Sequence, residues 1–282
     1  MHLMAGRRKS DRRLKHNQED RKPTTSLAPT GDLCYTLSMS FRRTDDEAAR
    51  LGHPSYIWRA GQDRRLGLVR RWARLDGARV LDIGCGVGMY TDHFRAFTPH
   101  VIGVEVDPQV AAQARARIPG IILAPAEALP FADARFDVVF SNEVIEHVTD
   151  DGAVAQEMVR VAASGGRVVL FCANRLYPFE THGHYRRGHY HFGNTPLINW
   201  LPNPLRNRLA PHVRAFTGSG LCNLFAGLPV RVVHHAVVAP GLDNMIARHP
   251  RRGRAIRSML DIAEHSPLQV FGLSHFLVLE RL

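Results

Sequence analysis

Short apolar runs recur through the middle of the chain, with room for one helix between each pair. They fall at about 79–83, 101–105, 120–124, 136–141 and 167–173 and predict five strands. The intervals carry helical spacing instead. Val154, Met158 and Val161 share one face of a helix predicted over 151–163, which Ser164, Gly165 and Gly166 stop. Another helix covers about 88–96, and a third begins near Pro108, a residue tolerated in a first helical turn. Ahead of the first strand, Trp58, Leu66, Leu68, Val69 and Trp72 alternate with basic residues and predict a helix within 56–75. Strands alternating with helices predict an α/β fold on a doubly wound parallel sheet.

Beyond residue 173 the pattern changes. Residues 174–215 are rich in aromatic side chains and histidine. Thr217 to Leu228 predict a returning helix with Thr217 or Ser219 as its cap, and Arg231–Val238 predict a sixth strand. An irregular stretch at about 240–271 carries Arg248, Arg251, Arg252, Arg254 and Arg257, and His275–Glu280 predict a seventh strand. The expected organisation is one domain over 39–282, with a cap insert at 178–213 after strand five and a second insert at 240–271 between strands six and seven.

The net charge of +11 changes this picture less than its size suggests. The three lysines, Lys9, Lys15 and Lys22, all lie near the start, and every later fixed cation is arginine. That distribution reads as base-composition bias rather than as a nucleic-acid face. Residues 1–38 offer almost nothing to bury and are expected to form a disordered basic tail; a nucleic-acid-binding arm is the sharper alternative. No apolar run approaches about 18 residues, so no membrane span is expected. Cys34, Cys85, Cys172 and Cys222 are scattered without metal spacing, which fits free thiols in a reducing cytoplasm.

The chemistry concentrates where the first strand ends. Val80, Leu81, Asp82 and Ile83 run into Gly84, Cys85, Gly86, Val87 and Gly88. The spacing is G-x-G-x-G, not the G-x-G-x-x-G of dinucleotide binders. Glycine is needed where a backbone turns sharply and a ligand approaches it closely. Glu105 ends the second strand. An acid there can accept hydrogen bonds from both ribose hydroxyls of an adenosine.

These residues, with Pro125–Phe131, Arg135–Val148 and Gly165–Phe171, resemble the class I S-adenosylmethionine (SAM)-dependent methyltransferases over about 56–175. The resemblance implies a Rossmann-like sheet of seven strands, strand seven lying antiparallel beside strand five. It implies SAM across the carboxyl ends of the strands and methyl transfer to an O, N, C or S acceptor. It places Gly84, Cys85, Gly86 and Gly88 around the methionine and ribose, Asp82 toward the methionine amine and Glu105 on the ribose. Val106 or Asp107 would flank the adenine, and Asn142 would lie beside the methionine chain. Where the family often has an aspartate for the adenine amine, this chain has Pro125. That contact falls to the Ala126 amide, to Glu127, or to nothing polar. Tyr56–Arg59 with Arg64 resembles a lid helix whose arginine would pair with the methionine carboxylate.

Glu143, Glu146 and His147 follow strand four, where the acceptor belongs. If a helix begins there, they stand at i, i+3 and i+4 and share one face. Two carboxylates and an imidazole so placed suit Mg²⁺ or Mn²⁺. The segment resembles the ubiquinone-pathway O-methyltransferases and the enzymes that methylate the 2′-hydroxyl at small-RNA 3′ ends. In those, E-x-x-E-H is associated with a divalent metal, and in the RNA enzymes a further histidine joins it. His182 or His184, beside Glu180, falls in that region. Two other readings stay open: His147 as a general base without a metal, and a structural segment.

The expected activity is SAM-dependent methyl transfer to a hydroxyl of a small-molecule, lipid-linked or sugar-linked acceptor. Tyr177, Phe179, Tyr185, Tyr190, Phe192 and Trp200 would furnish the pocket wall. The basic second insert would meet a phosphate or an anionic membrane surface. The alternatives are a metal-dependent RNA 2′-O-methyltransferase and a non-catalytic SAM-binding regulatory protein. A nucleotide dehydrogenase is disfavoured by the glycine spacing.

Overall fold

A strand covered by helices on both sides must be apolar on both faces, and this requirement explains the central elements. The structure, a computed structural model, describes residues 58–282; the expected tail over 1–38 lies outside them. Helix α1 (Ala60–Trp72) buries Leu66 and Val69. Strand β1 (Val80–Ile83) is buried along its whole length and leads into α2 (Met89–Phe94). Strand β2 (Val101–Glu105) is followed by α3 (Pro108–Arg115), with Pro108 at the predicted helix start. Asp107 caps α3 by accepting from the amides of Gln109 and Val110 at 2.8 and 3.2 Å. Then come β3 (Ile121–Leu123), β4 (Phe136–Asn142), α4 (Asp151–Val161) and β5 (Ala162–Ala173).

The first insert contains β6 (Phe179–Glu180), β7 (His184–Arg186), β8 (His189–His191), β9 (Thr195–Pro196), a 3-10 turn at Ile198–Trp200 and α5 (Asn203–Leu209). Helix α6 (Gly218–Asn223) returns the chain to β10 (Val230–Val238). The second insert is helical, with α7 (Asp243–Arg248), α8 (Pro250–Glu264) and a 3-10 turn at Pro267–Phe271, before β11 (Ser274–Arg281).

The main sheet has seven strands in the order β10-β11-β5-β4-β1-β2-β3. Strands β3, β2, β1, β4 and β5 pair in parallel. Strand β11 lies antiparallel between β5 and β10, as the resemblance implied, with Leu277 opposite Leu170 and Ser274 opposite Ala173. Alternate residues then serve the two layers. Leu81, Ile83, Leu170 and Leu277 face a core completed by Val154 and Met158 of α4 and Leu221 of α6. Val80, Phe140, Phe171 and Phe276 face one completed by Leu66 and Val69 of α1 and Phe94 of α2. Each fully buried side chain of this kind contributes ~1.5–3 kcal/mol, so the two layers fix the positions of the strand ends that carry the site.

Some boundaries differ from the sequence reading. The returning helix is cut to α6, because the following turns, with Gly227 at φ +79° and then Pro229, cannot extend it. Thr217 is its cap, accepting from the Gly220 amide at 3.1 Å. Strand β5 begins directly after α4, ahead of the predicted glycine break; Gly165, at φ +74°, turns within it. Among the described residues, no helix is long and apolar enough to cross a membrane.

Candidate active site

The carboxyl ends of β1, β2, β4 and β5 converge on one edge of the sheet. After β1, Gly84 has φ +67°, and a Cβ there would lie 2.3 Å from a methyl of Val144. No other residue type fits both the dihedral and the contact. The same contact joins the glycine loop to the segment after β4. The Gly86 amide donates to Glu105 Oε2 at 2.9 Å, and the amides of Val106 and Asp107 donate to Oε1 at 2.9 Å each. The acid predicted for ribose is thus tied to the glycine loop, at the end of β2.

Asp82 lies beneath the loop, buried, and accepts from Thr91 Oγ1 at 2.6 Å. Burial pushes its carboxyl up to about 7. Cys85 is buried, and burial raises its thiol pKa, which makes it a small apolar filler rather than a nucleophile. Val106 is half exposed beside Glu105, whereas Ala126 is buried. Glu127 accepts from the Thr149 amide at 3.0 Å, so one of its oxygens is engaged by the turn after β4. Trp58 stacks on His93 with ring centroids 3.5 Å apart and packs against Val87, Met89 and Val110 near the loop. Of the expected lid segment, Tyr56 and Ile57 lie outside the described residues, Arg59 is exposed at the start of α1, and Arg64 is paired with Glu264 of α8. Its neighbour Arg65 enters the site instead.

The segment after β4 is not a helix. Glu143 has φ +56°, and a single turn closes with the His147 amide donating to the Val144 carbonyl at 2.8 Å. The predicted shared face of Glu143, Glu146 and His147 is therefore absent. Glu143 pairs with Arg65, whose Nη1 lies 2.8 Å from Oε1, and it also accepts from Ser274 Oγ at 2.7 Å, while its Oε2 stays 4.0 Å from His182 Nε2. Burial would raise the Glu143 carboxyl, but the Arg65 charge, together with the interactions with Glu146, His182 and Ser274, outweighs it and holds the group down at about 2. Arg65 further donates to Asn142 Oδ1 at 2.5 Å and Ser274 Oγ at 2.8 Å, with its guanidinium 4.9 Å from the Phe171 ring centroid. The Asn142 side chain is thus engaged by Arg65.

Glu146 and His147 meet a third group. Glu146 is 1% exposed, and its Oε1 accepts from the Ala173 amide at 3.2 Å. Burial, then the nearby Glu143 charge, raises its carboxyl well above the usual range. His182 arrives from the first insert, its ring centroid 5.0 Å from that of His147. One ligand atom each from Glu146, His147 and His182 can be chosen within 4.8 Å of one another. Two atoms here, Glu146 Oε2 and His147 Nδ1, are buried without a hydrogen-bond partner among the described residues. Burial lowers His147 to about 3, so the ring is neutral and able to ligate. Buried polar atoms rarely stay unpaired, and a ligand is one standard reason.

His182 is oriented by a network the sequence did not expose. Its Nδ1 lies 3.0 Å from Glu180 Oε1, which also accepts the His182 amide at 2.9 Å. That leaves Nε2 on the side of Glu143, 4.0 Å from its Oε2. Glu180 Oε2 accepts from Arg206 at 3.0 Å, and Arg206 donates to the Val213 carbonyl at 2.7 Å. Glu180 and Arg206 are both almost completely buried. His184 stays apart, its Nδ1 3.0 Å from Thr195 on the β7–β8 side of the insert.

A small cleft opens beside this cluster, lined by Glu143, Tyr177, Phe179, Glu180, Thr181, His182 and Asn199 among others. Of the aromatic residues expected to wall it, Tyr177 and Phe179 do so. Tyr185 and Tyr190 pack instead with His212, while Phe192 and Trp200 are 65% and 50% exposed.

This geometry can be set beside known proteins. Residues 81–170 match the family model of a methyltransferase domain. Over those residues the chain matches a methyltransferase domain, and its seven-stranded sheet has the fold of such enzymes. Among its relatives is a malonyl-[acyl-carrier protein] O-methyltransferase of Erwinia billingiae, 36% identical over 120 residues, which are 41% of this chain and 48% of that protein. The chain thus spans about half the length of that relative. A solved S-adenosylmethionine-dependent methyltransferase from Mesorhizobium loti superposes with a TM-score of 0.55 at 17% identity, over 76% of this chain and 96% of that one. The [4+2]-cyclase SpnF superposes with a TM-score of 0.52 at 18% identity, over 79% of this chain and 83% of that one. Structural likeness at this identity shows the fold alone, and the fold houses more than one reaction.

Proposed function

We propose that the protein transfers a methyl group from SAM to a hydroxyl of a small or lipid-linked acceptor lodged beside His182, with a divalent ion held by Glu146, His147 and His182. The observation that carries the reading is the cluster of Glu146, His147 and His182, with one ligand atom of each within 4.8 Å of the others, in which Glu146 Oε2 and His147 Nδ1 are buried without a hydrogen-bond partner among the described residues. The SAM-binding part rests on Gly84, Gly86, Gly88 and Glu105, which share the sheet edge with that cluster. The family supplies the cofactor; the loop–acid geometry supports it.

The donor set fits a divalent ion. Two imidazoles and one carboxylate make a three-ligand set that leaves coordination positions open. With Glu143 Oε1 engaged by Arg65 and Ser274, the set is poorer in oxygen than the sequence implied. Imidazole-rich ligation favours Mn²⁺, Fe²⁺ or Zn²⁺ over Mg²⁺, which prefers carboxylates and water. When bound, such an ion would act as a Lewis acid that lowers the pKa of an acceptor hydroxyl.

The chain's own residues supply position. Methyl transfer is an in-line displacement at a sulfonium carbon, so holding the acceptor oxygen about 3 Å from that carbon accounts for much of the rate. Glu180 orients His182, Arg65 fixes Glu143 at the cleft wall, and Tyr177 and Phe179 give the cleft an aromatic side. His147 as a lone general base fits less well, because a catalytic base works best near the operating pH and His147 is lowered to about 3. The acyl-carrier-linked substrate named for the Erwinia relative supports a small or lipid-linked acceptor. The test is Glu146→Ala. Turnover should fall steeply while calorimetry finds SAM affinity near that of the native protein, and a chelator should reproduce the loss. Full activity in excess chelator would remove the metal from this reading.

A further inference from the structure

We infer that the two inserts together form a docking face for an anionic lipid surface, with the acceptor cleft opening at its edge. The first observation is compositional. From residue 181 to residue 260 the chain has one acidic residue, Asp243, against eleven arginines. The sheet strands before this stretch mix both signs, so the imbalance belongs to the inserts and the strand that joins them.

The second observation is structural. Arg186, Arg187 and Arg208 of the first insert are exposed, as are Arg251, Arg252 and Arg254 of α8. The same two inserts also expose large apolar side chains. Leu197 is 53% exposed, Trp200 50%, Leu205 53%, Leu268 62% and Phe271 44%. Two of them join the inserts: the rings of Trp200 and Phe271 lie 6.0 Å apart. The Trp200 indole donates to the Leu176 carbonyl at 2.9 Å, and Asn174 donates to the Val270 carbonyl at 2.8 Å. Tyr177, Phe179 and Leu273, neighbours of these residues in the chain, line the cleft.

The chemistry of this face selects its occupant. Exposed apolar side chains of this size mark an interaction site. Exposed arginines and exposed apolar side chains, an indole among them, carried by the same two inserts match an interface of anionic headgroups over acyl chains. A nucleic acid would use the arginines, yet it gives no role to aliphatic Leu197, Leu205 and Leu268. A face of this kind would let an acceptor with an apolar tail pass from the bilayer into the cleft without crossing water. The inference does not depend on the metal.

The test uses the full-length protein and vesicles of phosphatidylcholine, alone or mixed with phosphatidylglycerol, read by co-sedimentation. Retention on the mixed vesicles is expected, with little on the neutral ones, and it should weaken as salt is raised. Arg251→Ser with Arg252→Ser and Arg254→Ser should lower the partition coefficient on the order of a hundredfold. Trp200→Ser with Phe271→Ser should lower it as well; the arginine variant should melt as the native protein does, and the Trp200 and Phe271 variant within a few degrees of it, since it loses one hydrogen bond and the buried half of two rings. Brominated lipid should quench tryptophan emission, and Trp200→Phe should abolish the quenching. No retention on mixed vesicles would overturn the inference. So would retention indifferent to the Trp200 and Phe271 changes, or a preference for single-stranded RNA that only the arginine variant weakens. Concentration-dependent self-association lost on changing Trp200 and Phe271 would overturn it too, since a second copy would then be the occupant.

Discussion

Arg65→Met removes the one cation that holds Glu143. The arginine is enclosed, and it satisfies Glu143, Asn142 and Ser274 while covering Phe171. Methionine keeps much of the packing but leaves a partly buried carboxylate without its counter-charge, close to Glu146. Breaking a fully buried pair costs ~3–5 kcal/mol, and with the Glu143 side chain 27% exposed the lower end, about 3 kcal/mol, applies. For a domain of this size, each kcal/mol shifts the melting temperature by roughly 2–4 °C, so the variant should melt about 6–12 °C below the native protein. Scanning calorimetry reads this directly. Adding Glu143→Gln should restore part of the loss, since the two residues are one unit. If Arg65→Met alone melts within about 2 °C of the native protein, Glu143 is not held as described, and its exclusion from the ligand set loses its physical reason.

Further outcomes follow from the same geometry. Glu105→Ala should lower SAM affinity by at least about a hundredfold, because two charge-assisted hydrogen bonds to ribose are worth ~1.5–3 kcal/mol each. It should also lower the melting temperature, since the amides of Gly86, Val106 and Asp107 lose their acceptor; unchanged affinity in calorimetry would remove the cofactor assignment. Glu180→Gln should weaken Mn²⁺ binding about 10–100-fold, as loss of a group orienting a ligating histidine does, with SAM affinity unmoved. Equal affinity for Mn²⁺ in titration calorimetry would show that Glu180 only supports the insert. Burial lowers His275 from 6.5 to about 4. Below pH 6.5 the unfolded chain takes up a proton that the folded protein refuses, so the melting temperature should fall as pH drops from about 6.5 toward 4. A flat profile over that window would contradict the burial of His275.

The strand and helix plan was legible because two-sided burial writes apolar runs that sequence inspection detects. The glycine loop and Glu105 were legible for a related reason: a positive-φ turn packed on Val144 admits only glycine. The conformation of the Glu143 segment was not. Spacing at i, i+3 and i+4 carries meaning only inside a helix, and here Glu143 adopts a left-handed turn. Arg65 could not be told from Arg64, since adjacent arginines on a helix differ only in what the fold puts opposite each: Glu143 for one, Glu264 for the other. The Glu180–Arg206 pair joins residues far apart in a segment with little periodicity, so nothing local announces it. His182 was found only as one of several neighbouring histidines, and it is Glu180 that sets it apart.

The most direct test of the account is transfer of a labelled methyl group from SAM into fractionated host extract by the native protein and by Glu146→Ala, each with and without chelator. Label should enter the small-molecule or lipid fraction, and both the substitution and the chelator should suppress it. A protein that binds SAM yet labels no fraction, or that labels RNA, would contradict the account.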